Sequence, residues 1–174
     1  SAVTWRFCGC ARGRVAGARG AVTRRLPATP QELWVTGWLG DANLAVLTGA
    51  PTPRFELRLE AARAVRLWAG AGMDTSGGLL DALWMFHQVN PLRRFVVEGE
   101  AVPLAPGVAE AARQLGLPPE AALLAGAGEY ELLFTVPQDL PPAVRGEVEA
   151  AGARFIGRVE YDGEPGLWWR GRDG

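Results

Sequence analysis

The sequence has no lysine, and all 18 of its basic residues are arginine. That absence excludes a Walker-type phosphate loop, a Schiff base on lysine and a lysine general base. Histidine and isoleucine each occur once, as His87 and Ile156, and the only cysteines are Cys8 and Cys10. The C-x-C spacing puts the two thiols on one face of a strand and closes poorly as a disulfide. A zinc site needs further ligands, and His87 lies far away in sequence. Two buried or half-buried thiols are the plain reading, with metal or redox chemistry the alternative. No stretch approaches the roughly 20 apolar residues of a membrane span. Arg6 is not followed by the apolar core of a secretory signal, so a cytoplasmic protein is expected. The net charge of −1 gives no electrostatic case for nucleic acid or an anionic membrane as partner.

What is present is an ordinary globular composition, 48% hydrophobic and 21% charged, in 174 residues, enough for one domain with its own core. Strand patterns fall at Val3 to Cys8, Glu32 to Thr36, Phe95 to Val97, Glu131 to Val136, Arg154 to Val159 and Leu167 to Trp169. Residues 11 to 20 are rich in glycine and arginine and read as an exposed loop. Helical patterns run from Asp41 to Leu47, Phe55 to Ala69, Leu79 to His87, Pro106 to Leu115, Pro118 to Leu124 and Pro141 to Ala151. Strands alternate with helices without a strict βαβ repeat or a dinucleotide-type glycine fingerprint. The expected class is α+β, with helices packed on one side of a mixed or antiparallel sheet.

Several segments carry possible chemistry, each with a plainer alternative. Met73-Asp74-Thr75-Ser76-Gly77-Gly78-Leu79 brings a carboxylate and a hydroxyl to a glycine turn before a helix. It reads as an N-cap by Asp74 or Ser76, or as a site for a phosphate or a bridging Mg²⁺. Gly126-Ala127-Gly128-Glu129-Tyr130-Glu131 reads as a solvated turn, or as a loop from which Glu129 reaches out of the fold. Asp41 reads as a helix cap. Arg24 and Arg25 are solvated arginines or phosphate contacts. Trp168 and Trp169 close a core edge or stack on a heteroaromatic ring with arginine beside them. His87 follows Met85 and Phe86 on a helix, and packing is favoured over acid–base work.

In order and spacing these segments resemble thiamine-monophosphate kinases, which carry Met-Asp-x-Ser-Asp-Gly-Leu and then Gly-Gly-Glu-Asp-Tyr-Glu-Leu-Leu-Phe-Thr-Val-Pro. The counterparts here are Met73 to Leu79 and Gly126 to Pro137. Val35-Thr36-Gly37-Trp38-Leu39-Gly40-Asp41-Ala42 is similar to the family's Val-Thr-Gly-x-Leu-Gly-Asp-Ala. Pro53-Arg54, Ile156 to Val159 and the closing Trp169 to Asp173 add to the likeness, which covers nearly the whole chain.

The resemblance implies the C-terminal α+β domain of the aminoimidazole ribonucleotide synthetase-like superfamily at residues 9–174. Residues 1–8 would be the last strand of an N-terminal domain that binds ATP and Mg²⁺ and makes a homodimer. It implies transfer of the ATP γ-phosphoryl group onto thiamine monophosphate, which needs positioning and charge neutralisation more than a base. By position, Asp74 would hold Mg²⁺, and Arg24 and Ser76 would bind ATP. Glu129, Trp169 and Arg172 would meet the substrate. Three positions depart from the family pattern. Gly77 replaces a second aspartate, Gly128 a substrate-contacting glutamate with Glu129 beside it, and Arg172 a tyrosine. Glycine at the first position also occurs in the hydrogenase-maturation and ribonucleotide synthetase branches. A non-catalytic binding domain and an ATP-using enzyme with another substrate are the alternatives.

Overall fold

The computed structural model describes residues 22–124 and 126–171. The expectations for Val3 to Cys8, for Cys8 and Cys10, for the loop at 11–20 and for Arg172 lie outside them. The elements in chain order are β1 (Gln31–Thr36), α1 (Asp41–Thr48), α2 (Leu59–Val65), β2 (Ala71–Asp74) and α3 (Leu79–Val89). Then come β3 (Arg94–Glu98), α4 (Val108–Gln114), a 3-10 helix Pro119–Leu123, β4 (Leu132–Pro137), α5 (Pro142–Ala150), β5 (Ala153–Glu160) and β6 (Gly166–Arg170).

The six strands form one sheet in the order β2-β4-β1-β5-β3-β6. All neighbours are antiparallel except β3 and β6. The class is therefore α+β with a mixed sheet. Both faces are covered, and here the expectation of helices on one side needs correcting. Leu33, Val35, Leu133 and Ile156 point to the face where Leu79, Leu83 and Phe86 of α3 pack. The alternate residues Trp34, Phe134 and Val136 point to the other face, against Val65 of α2 and Val148 of α5. Strands buried on both sides carry near-continuous apolar runs, and β4, which reads Leu-Leu-Phe-Thr-Val, is one of them.

The predicted helix from Phe55 to Ala69 is confined to Leu59–Val65. Phe55 and Arg58 are drawn onto Tyr130 and Glu131 instead, while Leu57 is left 86% exposed. Long-range contacts outweigh the local period there. The segment before β1 runs along edge strand β2, where the Gly72 N–H donates to the Thr23 carbonyl at 2.9 Å. Tyr161 Oη anchors its far end by donating to the Pro27 carbonyl at 2.6 Å. Among the described residues, no helix is long and apolar enough to cross a membrane.

Candidate functional site

Three of the segments singled out in the sequence meet at one end of the sheet, where β2 ends, β4 begins and β1 runs into α1. Thr75, fully buried, joins two of them. Its N–H donates to the Glu131 carbonyl at 2.8 Å, its carbonyl accepts from Glu129 N–H at 3.0 Å, and its hydroxyl accepts from Glu131 N–H at 2.9 Å. Loop 126–131 is thereby sewn to turn 74–78. The third segment joins through side chains. Thr36 Oγ donates to Glu131 Oε2 at 2.6 Å, and Asn43 holds both ends of the loop. Asn43 Oδ1 accepts from Ala127 N–H at 2.9 Å, and its Nδ2 donates to Glu129 Oε1 at 3.2 Å.

Asp74 and Ser76 lie together on the surface, with Ser76 Oγ donating to Asp74 Oδ1 at 2.8 Å. This local bond replaces the expected N-cap. Gly78 takes the capping position of α3 at φ 90°, a left-sided backbone that favours glycine, and no side chain caps the helix. The first N–H groups of α3 are thus left for another acceptor.

A Cβ at Gly77, where the family pattern has aspartate, would displace the carboxylate of Asp81 from the first turn of α3. The turn therefore has a second carboxylate beside it, supplied from four residues later. Gly128 lies so close to turn 74–78 that a Cβ would strike the Ser76 carbonyl. A glutamate in this backbone path would not fit.

Glu129 does not reach out of the fold as expected. It is 3% exposed, and its Oε1 accepts from Gly40 N–H at 3.0 Å as well as from Asn43. It sits at the start of α1 as a carboxylate acceptor for the helix's free N–H groups. Burial pushes its pKa above the usual glutamate range, and the N–H groups of Gly40, Ala42 and Asn43 only partly offset this. Asp41, expected as the cap of α1, leaves the capping position to Gly40.

Glu131 is also turned inward, 6% exposed. Arg58 clamps it in a two-pronged pair, Nε to Oε2 at 2.7 Å and Nη2 to Oε1 at 2.6 Å. The hydrogen bonds to Glu131 raise the Arg58 pKa above its usual value. Gly37, at φ 62°, leaves the room for this pair, since a Cβ would run into both side chains.

Arg24 is exposed, and its carbonyl accepts from Asn90 Nδ2 at 2.9 Å at the far end of α3. Its neighbour Thr23 is the residue bonded to Gly72 of edge strand β2, two positions before Asp74. Trp169 is 40% exposed and lies across Gly99, whose missing side chain makes room for the indole. It also lines an apolar cleft of about 200 Å³ with Leu79, Leu80, Leu83, Leu123 and Leu124, and Glu120 at its edge. Leu79 directly follows turn 74–78, so one wall of the cleft begins where that turn ends. Trp168 stacks under the Arg94 guanidinium at 4.6 Å. His87 is packed edge-on to Phe95 at 6.1 Å, as expected.

Sequence reasoning missed Asp81, Arg58 and Asn43 as members of this region, and it placed Glu131 in the candidate loop without its burial. Arg58 was read as one position in an amphipathic helix, and Asn43 had no motif to mark it. Asp81 was findable: it stands four residues after Gly77, one helical turn away.

Solved structures share this arrangement of elements. E. coli HypE, a hydrogenase maturation protein, superposes with a TM-score of 0.71 at 22% identity, over 88% of this chain and 50% of its own. The chain has the aminoimidazole ribonucleotide synthetase-like fold. Thiamine-monophosphate kinase from Stenotrophomonas maltophilia K279a matches at TM-score 0.64 and 25% identity, over 87% of this chain and 53% of that one. AaThiL, solved in complex with AMPPCP and TMP, matches at 0.65 and 23%, over 85% and 50%. The chain thus spans about half the length of each structure. No protein-family model matches the sequence, and no curated protein matches it.

Proposed function

We propose that this chain is the C-terminal half of an ATP-dependent thiamine-monophosphate kinase, transferring the γ-phosphoryl group of ATP to thiamine monophosphate. A companion N-terminal domain would complete the active site and bring two copies together in a cytoplasmic homodimer. The observation that carries the reading is the Asp74–Ser76 pair on a glycine turn before the uncapped start of α3. It occurs in a fold shared with AaThiL, which was solved with a nucleotide analogue and TMP.

The donors fit a hard divalent cation. Asp74, Ser76 and the Asp81 carboxylate over Gly77 would all offer oxygen donors. Among the described residues, no three acidic, histidine or cysteine side chains are gathered tightly enough to hold a metal alone. Mg²⁺ is commonly held by one or two carboxylates together with waters and substrate phosphates. When bound, Mg²⁺ would supply neutralising charge to the phosphate oxygens. The N–H groups opening α3, Ser76 Oγ and Arg24 would orient the phosphates of ATP, and Trp169 and Arg172 would meet thiamine monophosphate. We assign Glu129 to holding loop 126–131 in place. A phosphoryl transfer needs such positioning and little proton chemistry, in keeping with the absence of lysine and the remote His87.

The test is formation of thiamine diphosphate from thiamine monophosphate, ATP and Mg²⁺ by the full-length protein. Asp74→Ala should cost more than about a hundredfold in kcat, the range seen when one preorganised electrostatic group is removed. Full activity in that variant would refute the role of Asp74. The likeness to HypE and the glycine at position 77 favour a second reading, an ATP-using member with another substrate. Mg²⁺-dependent ATP binding without thiamine diphosphate formation would select it.

A further inference from the structure

Tyr130 is the one non-glycine residue with positive φ among those described, at 55°. The left-handed region costs an ordinary residue about 1–2 kcal/mol, and such strain persists only where the surroundings impose it. Here both neighbours are pinned. Glu129 and Glu131 bond to Thr75 through their backbones and are held inward through their carboxylates. Tyr130 is left standing outward, 54% exposed, between two buried acids.

Its surroundings are specific. The ring meets Phe55 at 4.7 Å between centroids, tilted by 51°. Phe55 is kept there by Arg58, three residues on, whose guanidinium is locked to Glu131. A Cβ on Gly128 would lie 2.9 Å from Tyr130 Cε2 and would also strike the Ser76 carbonyl. Gly128 is therefore flanked by the Tyr130 ring on one side and the Ser76 turn on another. The exposed Tyr130 ring, held out by a strained backbone and backed by half-buried Phe55, stands near the turn assigned to phosphate.

We propose that Tyr130, with Phe55 behind it, is a stacking platform for a planar nitrogen heteroaromatic ring whose phosphate chain lies at residues 74–78. This rests on the phosphate-binding reading of that turn. The ring belongs either to the nucleotide or to thiamine monophosphate, and both offer a flat heteroaromatic face. Stacking of a base on an aromatic side chain is commonly lost at a cost of about tenfold in affinity or more on alanine substitution.

The experiment is calorimetric titration of the full-length protein with Mg²⁺ and three probes: ATP, thiamine monophosphate and inorganic tripolyphosphate, which has no ring. Tyr130→Ala and Tyr130→Gly should each lose about tenfold or more for one ring-bearing probe and leave tripolyphosphate binding unchanged. The probe that loses affinity is the one stacked. Tyr130→Phe should stay within about twofold of wild type. Tyr130→Gly, which removes the backbone strain, should melt no lower than Tyr130→Ala. Unchanged affinity for both ring-bearing probes in Tyr130→Gly would overturn the platform while leaving the phosphate reading intact. Failure of wild type to bind tripolyphosphate or ATP at all would overturn both. Equal losses for ATP and tripolyphosphate would make Tyr130 a support of the turn, and would overturn stacking.

Discussion

Replacing Arg58 with alanine should destabilise the protein by about 3 kcal/mol. The carboxylate of Glu131 is 7% exposed and takes two charged bonds from Arg58 and one from Thr36. Without Arg58 it keeps only the Thr36 hydroxyl and remains a charge in a poorly hydrated place. Breaking a buried pair from one side costs about 3–5 kcal/mol. Arg58 retains 24% exposure, so water can reach part of the vacated space, and the lower end applies. For a chain of this size that corresponds to a fall in Tm of about 6–12 °C. Urea denaturation followed by far-UV circular dichroism measures it. The double variant Arg58→Ala with Glu131→Gln is the decisive comparison, because it removes the stranded charge. It should be more stable than Arg58→Ala alone, giving a coupling energy of about 1 kcal/mol or more in the double-mutant cycle. A cost below about 1 kcal/mol for Arg58→Ala, or no recovery in the double variant, would mean that the Glu131 carboxylate is hydrated in solution. The clamp between the 53–58 segment and loop 126–131 would then not hold as described.

Two further outcomes follow from the same region. Glu129 has a raised pKa in the folded state, so its contribution is most favourable below the ordinary glutamate range and is lost as pH rises through the folded value. Glu129→Gln should therefore gain stability relative to wild type as pH rises above the ordinary glutamate value of 4.5, measured as urea midpoints; a relative gain by wild type over that rise would contradict the buried placement. Gly77→Ala displaces the Asp81 carboxylate, a flexible side-chain end, so its stability should change by less than about 1 kcal/mol. Its Mg²⁺-dependent ATP affinity should fall as far as that of Asp81→Ala, and wild-type affinity in both variants would remove Asp81 from the metal site.

Most strands and helices were legible because each buries residues at its own period, although the short edge strand β2 was not among those read. Leu132 to Val136 and Leu79 to Phe86 are examples, and their predicted limits differ from the observed ones by a residue or two. The helix predicted over Phe55 to Ala69 shows where that reasoning stops. Its first turn carries the right spacing, yet Phe55 and Arg58 gain more from Tyr130 and Glu131 than from helical bonds. The coverage of both sheet faces was likewise hidden, since a run such as Leu-Leu-Phe-Thr-Val is compatible with either arrangement.

The sequence by itself determined the α+β class, the motif segments and, through the missing lysine, which phosphate-binding motifs these 174 residues do not contain. Motifs and absences are properties of order along the chain. Which carboxylates face solvent was decided only by the tertiary structure. Glu129 and Glu131 look like solvated acids on a glycine turn, and both are buried because α1 offers free N–H groups to one and Arg58 a guanidinium to the other. Gly77 looks like a lost ligand until α3 folds back and lays the Asp81 carboxylate over it. Burial and proximity depend on partners distant in sequence (up to 95 positions for Thr36 and Glu131), and no local pattern encodes them.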